Sequence, residues 1–465
     1  MAATAKEREY VLELITRVVR ECPRRQPTSE DERRASFILR DEFERLGLDT
    51  EVQGFEFNDN LYANLALHFG VGSAGTMVSP LIPPLGLALH LLAGTSYWAD
   101  STRRAYVLRR LFKFKPSQNV LATLPARSGE PRLRIVLNAH VDAAFTGFLF
   151  QEKVVRAFSG DLPESLKFLN RSLEVAAKSQ FVLAGFDLAR MLLGPLTWPL
   201  VPVEHLINLP ALLAFILGAE VTIRDEIVPG ANDDLSGTAA LPVLAARLAR
   251  SQRGDVELVF VATGCEEASL GGGDALVRDN EHRWKRENTV FLSLDGLTNG
   301  ALQFLNPEGE VVPTPVPEWL AGVVRRLAAS EPRFNQVTDF PVPVGGSDAA
   351  AALARGYDAV CLACVDHEIG SPRHYHQASD TPENLDMDGL MLAIDFAEKL
   401  VQGIVEHRLG PAPAPAKKAP KKAKKPAKKA KKAKKPRKKA KKPAKKAKKP
   451  AGQARASAPD SGASA

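Results

Sequence analysis

The chain has 465 residues, 45% of them hydrophobic and 25% charged, an ordinary make-up for a soluble enzyme with ample length for a buried core. Its net charge of +8 hides an uneven distribution: 20 Lys and 2 Arg follow Gly410 against one acid, Asp460, leaving 40 basic and 53 acidic residues, a charge of −13, on residues 1–410. Four cysteines (Cys22, Cys265, Cys361, Cys364) exclude a dense disulfide framework, and MAATAKEREYVLELITRVVRE lacks the apolar run of a secretory signal peptide; a reducing, cytoplasmic setting is expected.

In chain order, residues 5–22 predict a helix with Val11, Leu12, Ile15, Val18 and Val19 on one face. A second helix begins at Ser29, where Ser29 and Glu32 make a capping box, and stops before Gly47. Val52, Phe55 and Phe57 suggest a strand. Short apolar runs follow at Ile135–Leu137, Leu258–Ala262, Phe291–Leu294 and Val360–Val365, separated by helical patterns at 236–250, 317–328 and 387–407. Pro242 blurs the start of the first of these patterns. The alternation predicts an α/β fold with a mixed, largely parallel central sheet flanked by helices. The expected division is 1–60 for the N-terminal helices and first strand, 61–118 for an apolar insertion with a basic flank, and 119–144 for sheet core. A second apolar insertion occupies 145–224, more core 225–410, and a tail 411–465.

Two stretches depart from this alternation. Leu61–Ala99 holds no Asp, Glu, Lys or Arg across 39 residues, and Phe181–Ala219 is interrupted only by Asp187, Arg190 and Glu204. Each is long enough for a membrane hairpin, which needs about 20 apolar residues per span. Against insertion stand Pro80, Pro83, Pro84 and five glycines in the first stretch, and the cost of charge in lipid in the second. Two readings remain: the stretches pack on each other as an apolar subdomain or a dimer surface, or they associate with a membrane. In the second case the flank of Arg103, Arg104, Arg109, Arg110, Lys113 and Lys115 would stay cytoplasmic, with the catalytic body. The Lys/Ala/Pro tail resembles the arms of linker histones and bacterial histone-like proteins. It is expected to be disordered, with nucleic acid or an anionic membrane as a non-specific partner. Oligomeric state leaves no mark on the sequence.

Five segments carry chemistry: RIVLNAHVDAA with His140 and Asp142, PGANDDLSG with Asp233, VFVATGCEE with Glu266 and Glu267, VFLSLDG with Asp295, and RHYHQASDT with His374, His376 and Asp380. Singly, each has a bland alternative: a structural histidine, a helix N-cap, surface charge. Together they place acids and histidines at the ends of predicted strands, where open α/β sheets bind ligands, and supply the imidazole and carboxylate donors that zinc accepts.

HVD, GANDDLSG, CEEASLGG, LDG and HQASDT, in this order, resemble the co-catalytic zinc aminopeptidases, a family that includes bacterial leucyl aminopeptidases, glutamate carboxypeptidase II and glutaminyl cyclases. The resemblance covers roughly 119–305 and 340–400 without the apolar insertion. It implies two zinc ions, with Asp233 bridging both, His140 and Asp295 completing one, and Glu267 and His376 completing the other. Glu266 would be the general base and Asp142 would orient His140. The implied activity is hydrolysis of N-terminal peptide bonds, and an apolar wall beside the site would favour hydrophobic N-terminal residues. The alternatives are single-zinc glutaminyl cyclase-like chemistry, or a catalytically degenerate nucleic-acid-associated protein acting through its tail. One departure stands out: where some relatives carry a tyrosine three residues before a Ser-Asp pair, this chain has Val344 before Ser347-Asp348. Cys361 and Cys364 form a CxxC in an apolar strand pattern and read as buried small residues, as His68 and His90 read as structural.

Overall fold

The N-terminal amphipathic patterns become α1 (Ala5–Glu21) and α2 (Glu30–Arg45) in a computed structural model that describes residues 5–159, 171–343 and 345–411. Residues 412–465, the expected tail, lie outside the described residues. Ser29 caps α2 by accepting from Glu32 N at 3.0 Å. The other half of the capping box differs from expectation. Glu32 accepts from Thr28 N at 2.9 Å, because its carboxylate turns inward.

After β1 (Asp49–Phe57), the first apolar stretch folds into α3 (Leu61–Val78) and α4 (Pro83–Ser101). Then come β2 (Lys115–Leu124), β3 (Leu133–His140) and the short α5 (Glu152–Ser159), followed by the second apolar stretch as α6 (Ser172–Leu193) and α7 (Val201–Arg224). The remaining elements are α8 (Leu235–Ser251), β4 (Val256–Thr263), α9 (Gly271–Asn280), β5 (Thr289–Leu294), β6 (Ala301–Leu305), α10 (Glu318–Ser330), β7 (Asp339–Phe340), α11 (Asp348–Ala354), β8 (Asp358–Val365) and α12 (Met387–Leu409).

The eight strands form one mixed sheet in the order β1-β2-β4-β3-β5-β8-β6-β7. Its centre, β4-β3-β5-β8, is parallel. Both faces are covered, so the central strands read as continuous apolar runs rather than as alternation. Ile135, Leu137 and Phe260 point to the layer of α1, α2, α8, α10 and α12, whereas Val136, Val259 and Val261 point to that of α9 and α11. Phe260, Phe291 and Phe396 are fully buried, and each contributes about 1.5–3 kcal/mol through water exclusion. The two apolar stretches pack on each other: α3 lies beside α4 and α7, and α6 beside α4 and α7, a ring of four helices.

Candidate functional site

The parallel strands β4, β3 and β5 are neighbours, so the loops at their C-terminal ends open on the same edge of the sheet. β3 ends on His140, Glu266 and Glu267 follow the end of β4, and Asp295 follows β5 directly. Asp233 comes from the turn before α8, and His376 from the loop joining β8 to α12.

These residues converge. Asp233 stands between the two imidazoles, with Oδ1 3.1 Å from His140 Nε2 and Oδ2 3.2 Å from His376 Nε2. Glu267 Oε1 lies 3.3 Å from His376 Nε2, while Asp295 Oδ1 and Glu266 Oε2 each lie 4.0 Å from His140 Nε2. Three sets of donor atoms fall within 4.8 Å of one another: His140, Glu266 and Glu267; His140, Asp234 and Asp295; and Asp233, Glu267 and His376. Asp234 belongs to the scaffold. Its Oδ1 accepts from Gly237 N and Gly296 N at 3.0 Å, and its Oδ2 from His140 N at 3.1 Å, so its lone pairs are already engaged.

A shell of buried groups holds the cluster. Asp142 accepts from Glu266 N at 3.1 Å and Glu267 N at 2.9 Å, with Oδ1 3.5 Å from His140 Nδ1. Asp380 accepts from Asn232 N at 2.8 Å and Asp233 N at 3.1 Å, which fixes the turn that presents Asp233. Two residues from the N-terminal helical region, missed in the sequence, complete the shell. The guanidinium of Arg25 donates to Val141 O at 3.0 Å and Pro229 O at 2.8 Å, joining the His140 strand end to the Asp233 turn. Glu32 accepts from Cys265 N at 2.8 Å and Ser117 Oγ at 3.0 Å, pinning the residue before Glu266. No local pattern marks either one as part of the site, because the site partners just named lie more than 80 residues away in the chain.

Burial penalises every charge here. It raises the carboxyl of Glu266 well above its ordinary range, with Asp295 and Glu267 adding repulsion, and lifts Asp295 to about 7, with Asp233 adding to the effect. For the imidazoles burial works the other way, but neighbouring carboxylates outweigh it. Asp142 and Asp233 lift His140 well above its usual range, and Glu267 and Asp233 lift His376 to about 10. Four carboxyl groups (Asp233, Glu266, Glu267, Asp295) thus crowd a cavity of about 690 Å³ among whose described lining residues there is no Lys or Arg. Carboxylate oxygens and imidazole nitrogens converging on one spot, with no Lys or Arg among the described lining residues, fit divalent cations of the zinc type.

The helical ring forms the opposite wall. Tyr62 OH lies 3.4 Å from His376 Nδ1, and the rings of Phe150 and Tyr375 lie 4.4 and 4.0 Å from that of His376. Val344 lies outside the described residues. His374 pairs with Ser379 at 2.8 Å and lines a separate cavity. Cys361 and Cys364 are buried and unpaired on opposite faces of β8, so they cannot share a metal or a disulfide. His68 and His90 are buried within the helical ring.

Residues 218–401 match Peptidase family M28. The match takes in Asp233, Glu266, Glu267, Asp295 and His376 and leaves out His140 and Asp142. No curated protein matches the chain significantly. Among solved structures, the chain resembles a zinc aminopeptidase from Bacillus subtilis with TM-score 0.50 and 14% identity, over 85% of this chain and 95% of that one. An aminopeptidase from an Aneurinibacillus species gives 0.49 and 14%, over 86% and 93%. A glutaminyl cyclase from Bacteroides thetaiotaomicron gives 0.48 and 13%, over 85% and 97%. At such identities the likeness concerns the fold.

Proposed function

We propose that the chain, whose residues 218–401 match Peptidase family M28, is a zinc metallopeptidase, and within that class an aminopeptidase that binds two zinc ions and removes N-terminal residues from peptides. The observation that carries this reading is the position of Asp233, whose two carboxylate oxygens face different histidines at 3.1 and 3.2 Å, the disposition of a bridging ligand. In this reading His140 and Asp295 complete one site, and Glu267 and His376 the other. Zinc ions held there supply Lewis acidity that acidifies a water and polarises a scissile carbonyl.

The chain's own groups do the rest. Glu266, buried beside the cluster, takes a proton from the attacking water on its carboxylate and hands it to the leaving amine. Asp142 holds His140 in one ring orientation and, through the two backbone N–H groups it accepts, sets the direction of Glu266 and Glu267. Tyr62 OH steadies the remote nitrogen of His376. Apolar side chains lining the same cavity, Leu61, Leu149 and Phe150, favour a hydrophobic N-terminal residue. For residues 411–465 we retain sequence-independent binding to polyanions, tested by DNA retention with and without them.

The test is elemental analysis of the purified chain together with a panel of aminoacyl-nitroanilides. Two zinc ions per chain and turnover of Leu or Phe derivatives are expected. One zinc, with cyclisation of N-terminal glutamine, would replace the reading with glutaminyl cyclase-like chemistry; no zinc and no turnover would overturn both.

A further inference from the structure

The ring of α3, α4, α6 and α7 has its polarity reversed. A helix bundle stable in water buries apolar side chains and exposes polar ones. Here a polar network runs through the interior, beside an apolar cluster that includes Leu65, Phe69, Tyr97 and Val221. His90 Nδ1 lies 2.6 Å from Asp187 Oδ2, Thr76 Oγ1 3.0 Å from His90 Nε2, and Arg190 Nη2 2.5 Å from Glu204 Oε1. Ser79 bonds both Asp187 and Arg190, and Asn208 donates to Ser73 Oγ at 3.1 Å. All of these residues are buried. Glycines let the backbones approach: an added Cβ on Gly218 would meet Tyr62 O at 2.8 Å, and one on Gly72 would run into the amide of Gln180.

The exterior is the opposite. Leu192 is 84% exposed, Leu81 83%, Leu196 80% and Leu206 69%, and more exposed leucines stud α4, α6 and α7. Small residues and hydrogen-bonded polar networks inside, with leucines outside, is the arrangement that suits a bundle whose solvent is lipid.

Size and charge agree with this. The four helices have 18, 19, 22 and 24 residues, about 27–36 Å at 1.5 Å per residue, against a hydrocarbon layer of about 30 Å. Within Ser172–Arg224 an 18-residue stretch reaches a mean hydropathy of 2.0, long and apolar enough to cross a membrane. Both helix turns lie at one end, since Ser79 in the first bonds Arg190, which also donates to Thr197 in the second at 3.1 Å. That end carries Leu81, Leu196 and Trp198, all exposed and uncharged. At the root, by contrast, Arg104, Arg110, Lys113 and Lys178 are exposed, as on the cytoplasmic side of an inserted segment. A second copy of the chain would cover one side only, whereas exposed leucines lie on three helices and on both turns.

The cavity of the candidate cluster continues along the exposed side of α7. Besides Asp233, Glu266 and Asp295, it is lined by Leu206, Leu209, Leu213 and Leu217 of α7, an apolar stripe about 16 Å long at helical rise. We propose that the four helices insert into a lipid bilayer, turns first, and that the cavity along α7 admits peptides whose N-terminal segment is apolar and dissolved in that bilayer. Insertion is independent of the chemistry; the delivery of peptide rests on the peptidase reading above.

The experiment uses the full chain with phosphatidylcholine vesicles, floated on a density gradient after washes in alkaline carbonate and molar salt, which strip electrostatic adsorption by the basic tail. The chain should float, and Leu192→Lys with Leu196→Lys, both surface positions, should lower the floated fraction by about tenfold or more. A chain that is monodisperse without detergent and stays at the bottom of the gradient overturns insertion, as does a soluble dimer that the lysines dissociate. In the vesicle-bound state, peptides with an apolar N-terminal segment should show kcat/KM about tenfold above peptides that share only their first residue, a ratio that Leu213→Gln should reduce. Equal rates overturn delivery and leave insertion standing. Flotation with no turnover of any peptide overturns delivery together with the peptidase reading, and again supports insertion.

Discussion

Asp142→Asn preserves side-chain size and removes one charge and one acceptor. In the native structure the two carboxylate oxygens accept from Glu266 N at 3.1 Å and Glu267 N at 2.9 Å, in a residue with no solvent exposure. An amide offers one oxygen, so one of these backbone donors must face an NH2 group. A charge-assisted hydrogen bond contributes about 1.5–3 kcal/mol, and a buried donor without an acceptor costs about 1–3 kcal/mol. The combined loss, about 2.5–6 kcal/mol, divides between the fold and the site. We expect zinc affinity to fall by about 10–100-fold, as when other groups that orient metal-ligating histidines are removed, with a clear drop in melting temperature. Competition with a chromophoric chelator measures the first, and thermal unfolding of the zinc-loaded protein the second. Zinc affinity within about twofold of the parent together with an unchanged melting temperature would refute the role given to Asp142.

Glu266→Gln should keep the zinc content and lower kcat by about 10²–10⁴-fold; near-normal turnover contradicts its assignment as the base. Asp233→Ala should lose zinc from both positions, and full occupancy by elemental analysis would remove the bridging role. Phe260→Ala, fully buried and 6.5 Å from the Phe43 ring, should cost about 3–5 kcal/mol in denaturant unfolding; a loss under about 1 kcal/mol would mean that this layer is loosely packed. Burial, with help from Asp142, raises Glu32 from 4.5 to about 8. The native state therefore keeps a proton that the unfolded chain releases, and stability attributable to this group falls as pH rises from about 4.5 to about 8. Glu32→Gln should flatten the melting temperature over that window, and a parent curve no steeper than the variant's would contradict the shift.

The candidate cluster was legible because its acids and His140 sit where a strand ends or a helix begins, so that short-range pattern and donor chemistry drew them out; His376, in the loop between β8 and α12, and the role of each residue rested on the family resemblance. The parallel centre of the sheet was legible for the same reason, through its apolar runs. β2 was not: its Ser117, Gln118 and Asn119 look like a loop, and they are buried only because Glu32, Ser36 and Gly272 partner them from elsewhere. The two-residue β7 and the alanine-rich α11 lack any periodicity to read. The helical ring was visible as apolar sequence, but its reversed polarity was not. Which side of a helix faces a neighbour is decided by contacts such as Ser79 to Asp187, 108 residues apart.

Arg25 and Glu32 give the opening helices a share in the catalytic centre. The peptidase match begins at residue 218, so a fragment cut to that match would start after His140 and Asp142 and would lack both N-terminal clamps. Strand β3 would be absent together with His140, and the turn before α8 would lose the Arg25 guanidinium that ties it there. The centre is discontinuous in the chain: the residues that form and hold it are drawn from Arg25 to Asp380.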